Sequence, residues 1–172
     1  MIKVSIVFSS GRGSTRTVAE HVYKGAAAFT ACSAELIEII PAQLGPDGRW
    51  HDQAIMDRLA ASDAILFGAP TYMGSAHGLF KLFLDAGITP WVDQSWKDKI
   101  AAGFTNSGSR SGDKLIALQQ MSIFAVQMGM VWVGIGERRA AISPKAARFA
   151  SCLGQRVWRD SVTPCSITFH TG

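Results

Sequence analysis

The stretch SSGRGSTRTVAEHV, Ser9 to Val22, follows directly on the apolar run IKVSIVF at residues 2–8, and its reading decides the fold. A globular chain buries such a run as a strand. Beyond the loop, Val18, Val22, Ala26 and Phe29 recur at the near-fourfold spacing of one buried helical face. The loop therefore ends at a helix N-terminus, where outward-pointing N–H groups and the helix dipole make a seat for an anion. Seven of the nine residues from Ser9 to Thr17 are Gly, Ser or Thr. An ordinary N-cap needs one such residue, and Thr17 with Glu20 fits a capping box. The excess points to a phosphate site around Gly13, Ser14 and Thr15, with simple capping as the alternative.

What the loop lacks narrows the ligand. It has no GxxxxGK[ST] pattern for a nucleoside triphosphate, and GRGSTR lacks the third glycine of a dinucleotide fingerprint. A phosphate-transferring cysteine would have to lie here, yet the three cysteines are Cys32, Cys152 and Cys165. The loop is suited to hold a phosphate without reacting with it, as it would the terminal monophosphate of a cofactor.

Strand-like runs near 2–8, 33–40, 63–68, 99–105 and 130–135 alternate with helix patterns near 15–29, 52–61, 76–86, 113–127 and 144–160. Five βα units with right-handed crossovers predict a doubly wound α/β three-layer sandwich, its five-stranded parallel sheet in the order 2-1-3-4-5. Ligands then bind outside the carboxyl ends of the strands, at the switch point between strands 1 and 3. The loops after strands 3 and 4, APTYMGSAHG and NSGSRSGDK, should converge there with the first. Tyr72 beside Pro70 and Gly74 suits the rim of a planar heteroaromatic ring. Asn106 to Gly112 offers N–H groups and short polar side chains for its carbonyls and nitrogens. Any βα loop holds Gly, Pro and Ser because it must turn. Three such loops at one edge favour a site.

The 172 residues are 48% hydrophobic and 17% charged, which fits one compact domain, read here as 1–160 with a tail at 161–172. The amino-terminal apolar run is too short for a signal peptide, and no uncharged run approaches the ~18 residues of a membrane span. Three widely spaced cysteines suit a reducing cytoplasm better than a disulfide framework. The net charge of +4 comes without a continuous basic helical stripe, so no nucleic-acid partner is expected.

SSGRGSTRTVAEHV, GAPTYMGSAHGLFKLFLD and GFTNSGSRSGDK resemble the three flavin mononucleotide (FMN) loops of the flavodoxin-like superfamily. The second and third are most similar to WrbA-type NAD(P)H:quinone oxidoreductases. The resemblance implies that Ser10, Arg12, Gly13, Ser14 and Thr15 hold the flavin phosphate. It places Pro70, Thr71, Tyr72, Met73 and Gly74 along the isoalloxazine ring, with Asn106, Ser107, Gly108, Ser109 and Gly112 on the third loop. Trp91 lies where that family sets an aromatic residue near the flavin across a subunit interface, and TPWVDQSW, with Trp91 and Trp96, is aromatic enough to anchor a dimer or tetramer. Two features depart from the family. Gln127 and Met128 stand where it usually has a histidine, and GIGERRAAISPK replaces a long glycine-rich segment after strand 5.

Of the remaining residues, His21, His51, His77 and His170 lack metal-ligand spacing, and His77 alone adjoins the expected ring as a candidate proton donor. Asp85, Asp93 and Asp98 read as solvated or capping carboxylates. Arg138, Arg139, Lys145, Arg148, Arg156 and Arg159 make the carboxyl-terminal quarter basic, a wet face or an attraction for NAD(P)H. The expected function is an FMN-dependent oxidoreductase passing reducing equivalents from NAD(P)H to a quinone or similar small-molecule acceptor, with the chemistry carried by the flavin. The alternative is an FMN electron carrier docking a protein partner, against which the positive charge counts. A receiver-type signalling module would need aspartates where Phe8-Ser9-Ser10 and Phe67-Gly68-Ala69 stand.

Overall fold

The computed structural model describes residues 1–109 and 113–134. Its elements are β1 (Ile2–Ser9), α1 (Ser14–Ala27), β2 (Cys32–Ile39), α2 (Gln53–Ala60), β3 (Ala64–Tyr72), β4 (Ser75–Ala76), α3 (Gly78–Asp85), α4 (Ile88–Val92), β5 (Ile100–Asn106), α5 (Lys114–Gln127) and β6 (Val131–Trp132). Parallel strands run in the order β2-β1-β3-β5-β6, and the two-residue β4 pairs antiparallel with β3. With β4 set aside as the return arm of a hairpin, this is the doubly wound order expected from the sequence. The helix expected near 144–160 and the tail at 161–172 lie outside the described residues.

Both faces of the sheet are covered. Ile65, Phe67, Ala69 and Ala101 pack with α2, α3 and α5 around the fully buried Trp96, whereas Val4, Ile6, Phe8, Ala64 and Phe104 pack with α1 through Ala19 and Ala26. Central strands read as continuous apolar runs because alternate side chains feed two cores. Helix α5 departs from the usual one-faced pattern. Ala117, Leu118, Met121 and Ala125 are buried, yet Leu115, Ile116, Ile123 and Val126 are exposed.

Three differences from the sequence reading bear on the site. First, β3 continues to Tyr72, whereas the sequence pattern ends the strand near 68 and starts the loop at Ala69. Proline is tolerated because Gly68 is the last β3 residue paired with β1, so a missing donor at Pro70 breaks no bond of that ladder. Second, Met73 and Gly74 make a two-residue hairpin turn with φ of 47° and 80°. Positive φ at both central residues is the turn that matches strand twist, and methionine is an unusual occupant of it. Third, Thr17 lies inside α1 with its hydroxyl donating back to the Gly13 carbonyl at 3.4 Å, so the Thr17–Glu20 capping box does not form.

Candidate functional site

Strand register brings the three loops together. Phe8 of β1 pairs with Gly68 of β3, Gly68 with Phe104 of β5, and Pro70 with Asn106, so all three strands end at one edge. Just inside that edge the buried hydroxyls of Thr71 and Thr105 hydrogen-bond at 2.8 Å, fastening β3 to β5.

In the first loop, Gly13 takes the N-cap position of α1 with a φ of 89° and has no side chain of its own to cap the helix. Ser10 Oγ accepts hydrogen bonds from the backbone N–H of Gly13 at 3.2 Å and of Arg16 at 3.3 Å. Two N–H groups at a helix N-terminus thus aim at a single oxygen position, the donor geometry that a phosphate oxygen requires. Open space surrounds Gly13, and Arg12 and Ser14 are exposed beside it. Thr15 is different. It is buried, and its hydroxyl donates to Asn106 Oδ1 at 2.6 Å, tying the first loop to the third.

The second loop folds over the first. A Cβ at Gly11 would collide with the Tyr72 ring, so glycine there lets the two loops touch. Tyr72 meets His77 edge-on, with ring centroids 5.2 Å apart, and His77 Nδ1 lies 3.3 Å from the hydroxyl of the buried Ser9. Burial pushes the His77 pKa down. The hairpin is latched from behind, where Gln120 Oε1 of α5 accepts from the Ala76 N–H at 2.9 Å. Met73 stands fully exposed at its tip.

Thr71, Met73 and Gly74 face Ser107, Gly108, Ser109 and Asp113 across a cavity of about 410 Å³, a size usual for a small-molecule or cofactor pocket. The third loop is organised by a residue the sequence reading missed. Lys114 Nζ donates to Ser107 Oγ at 2.5 Å and to the Ser109 carbonyl at 3.0 Å. Ser107 Oγ in turn donates to the Ser109 carbonyl at 2.7 Å. Burial lowers the Lys114 pKa, and the neighbouring Asp113 carboxylate opposes that shift. The available signal was a cation in the first turn of a helix, the end that favours anions. Gly112 lies outside the described residues.

Trp91 and Trp96 separate. Trp96 is fully buried, 6.4 Å from Phe67 and 6.1 Å from Phe124 between ring centroids, so it belongs to the core and corrects its assignment to an interface. The chain turns between them at Gln94, with a φ of 56°, which sends the second indole inward. Trp91 remains partly exposed on α4, next to exposed Ile88 and Val92. Gln127 is exposed at the end of α5 and Met128 is buried in the core. Asp85 pairs with Lys81 one helical turn away, the solvated role expected of it. Arg138, Arg139, Lys145, Arg148, Arg156 and Arg159 fall outside the described residues. Among the described residues, no group of three or more His, Cys, Asp or Glu could hold a metal ion.

Residues 2–141 match the family model described as NADPH-dependent FMN reductase. The chain belongs to that family. It is 39% identical to the flavodoxin FldP of Pseudomonas aeruginosa over 157 residues, 91% of this chain and 79% of that one. It is 33% identical to an NAD(P)H dehydrogenase (quinone) of Geobacter sulfurreducens, over 78% of this chain and 72% of that protein. Among solved structures, a WrbA-like flavodoxin from Agrobacterium tumefaciens superposes with a TM-score of 0.67 at 41% identity, covering 79% of each chain. The FMN reductase family and this superposition make the fold flavodoxin-like.

Proposed function

We propose that this FMN reductase family member is an FMN-dependent oxidoreductase that takes electrons from NAD(P)H and passes them to a quinone or similar small acceptor. The observation that carries the reading is the pairing, at one sheet edge, of an N–H-lined anion seat with a cavity between the second and third loops. Together they fit a phosphate-tethered planar ring. Flavin, when bound, supplies the two-electron chemistry. The chain's own work is positional. Backbone N–H groups of the Gly13–Arg16 turn, with Ser10, Arg12 and Ser14, hold the phosphate. Thr71, Tyr72, Met73 and Gly74 border the ring on one side, with Pro70 behind them in β3, and Asn106 to Ser109 border it on the other. His77, whose pKa is pushed down by burial, stands beside Tyr72 as a candidate to relay a proton.

No described helix is long and apolar enough to cross a membrane, and we place the protein in the reducing cytoplasm. The exposed apolar residues of α4 and α5 support self-association, with Trp91 as the residue a neighbouring copy would receive. In this reading residues 1–160 form the flavin domain and 161–172 its tail.

A second reading is favoured by the relative named a flavodoxin: an electron carrier reduced by a protein partner. Anaerobic mixing of the FMN-loaded protein with NADH and with NADPH separates the two. Flavin bleaching within seconds by either nicotinamide, followed by reoxidation with a simple quinone, supports the oxidoreductase. Bleaching by dithionite alone, with neither nicotinamide acting over minutes, supports the carrier and fits the two departures, Gln127–Met128 and the GIGERRAAISPK segment.

A further inference from the structure

Lys114 is the first residue of the fourteen-residue helix α5 and is 4% exposed. A buried ammonium at the positive end of a helix is unfavourable on two counts, desolvation and the dipole. Its site must therefore supply compensation, and the third loop supplies oxygens from Ser107 and Ser109. Both residues line the cavity, as does Asp113. The cation is thus hydrogen-bonded to two residues of the cavity wall. Asp113, the adjoining residue with a left-handed backbone at φ 43°, is a nearby opposite charge, but it is exposed to water whereas the ammonium is buried.

We propose that Lys114 is the positioning residue of the third loop and that its charge raises the reduction potential of the flavin held beside that loop. This inference rests on the flavin reading above. Hydride transfer from NAD(P)H brings two electrons and one hydrogen to a neutral ring and leaves NAD(P)⁺, so the ring gains one negative charge until a proton follows. A fixed cation in a poorly solvated wall favours that charged state over the neutral one, and the preference acts at a distance where a hydrogen bond does not. The hydrogen bonds to Ser107 and Ser109 have a separate effect. They fix the loop shape in both oxidation states.

The two roles come apart in three variants, each checked by a thermal melt and measured for the FMN dissociation constant and the midpoint potential. K114R keeps the charge with altered geometry, and its potential should stay near that of the parent while affinity for oxidised FMN weakens. K114Q keeps amide donors without the charge, and K114M lacks both. Each should bind reduced FMN about tenfold less well relative to oxidised FMN, a fall of about 30 mV for a two-electron couple. An unchanged potential in K114Q and K114M, with or without weaker FMN binding, overturns the electrostatic role. A fall in K114R as large as in K114M does the same, because the charge is retained there. If the parent itself binds no FMN, the flavin reading fails and this inference with it; parent binding with unmoved variant potentials sinks this inference alone.

Discussion

The first and third loops meet through Thr15 and Asn106, yet they are built on opposite principles. The first draws its donors from the main chain, with Gly13 and Arg16 N–H groups aimed at one oxygen position. The third is shaped by a side chain, the buried ammonium of Lys114, pulling Ser107 and Ser109 onto itself. A site made of backbone N–H groups tolerates side-chain change unless the change alters charge or φ. A loop hung on one lysine is insensitive to local backbone substitution and depends on that lysine.

The sharpest way to break the first half of this comparison is to put negative charge at the helix start. Ser14→Asp sets a carboxylate against a phosphate dianion at the exposed helix start, where each pair of unit like charges about 5 Å apart repels by about 3 kcal/mol at an effective dielectric near 20. FMN affinity should fall at least about a hundredfold on titrating the apoprotein, while binding of riboflavin, which lacks the phosphate, should change little. Parallel losses for the two ligands would place the phosphate elsewhere. The parent should prefer FMN to riboflavin for the same reason.

That contrast also explains what could be read from the chain before its structure. The sheet order and the first loop were legible because hydrophobic periodicity and a run of Gly, Ser and Thr are local signals. The extension of β3 through Pro70 was not, since a proline fits this strand where the ladder on one side, to β1, has ended although the one to β5 continues, and that depends on register. Trp96 was misassigned for a similar reason. Its composition resembles that of Trp91, and only the turn at Gln94 sends one indole into the core and leaves the other at the surface. The motif places Thr15 among the phosphate ligands but gives no sign that its hydroxyl donates to Asn106, ninety-one residues away. Lys114 gave only the faint signal of a cation at the wrong end of a helix.

A smaller effect sharpens the comparison at two glycines. Gly13 has a φ of 89°, so an alanine there is strained although the space is open. Gly108 has equally open surroundings and no left-handed requirement. Gly13→Ala should cost about 1–2 kcal/mol in urea unfolding, and Gly108→Ala should lie within about 0.5 kcal/mol of the parent. Equal costs would mean that the first loop does not depend on its backbone conformation.

The smallest expected effect concerns the contact between the first and second loops, where His77 faces Ser9 and Tyr72. Because burial lowers its pKa in the folded chain, the unfolded chain takes up a proton at higher pH than the native protein does. Stability from this group is therefore complete above the ordinary histidine range near 6.5 and declines as pH falls through it. Asp47, whose pKa is lowered from 3.8 first by its hydrogen bond from the Arg49 N–H, titrates outside this window. Urea midpoints measured at about pH 7.5 and about pH 5.5 should then show a modest acid loss in the parent that is reduced in His77→Asn. An identical loss in both proteins would mean that the proton enters elsewhere and that the Ser9–His77 contact does not depend on the neutral ring. A loss confined to the parent would show that the contact fastening the second loop to the first weakens when His77 takes up a proton.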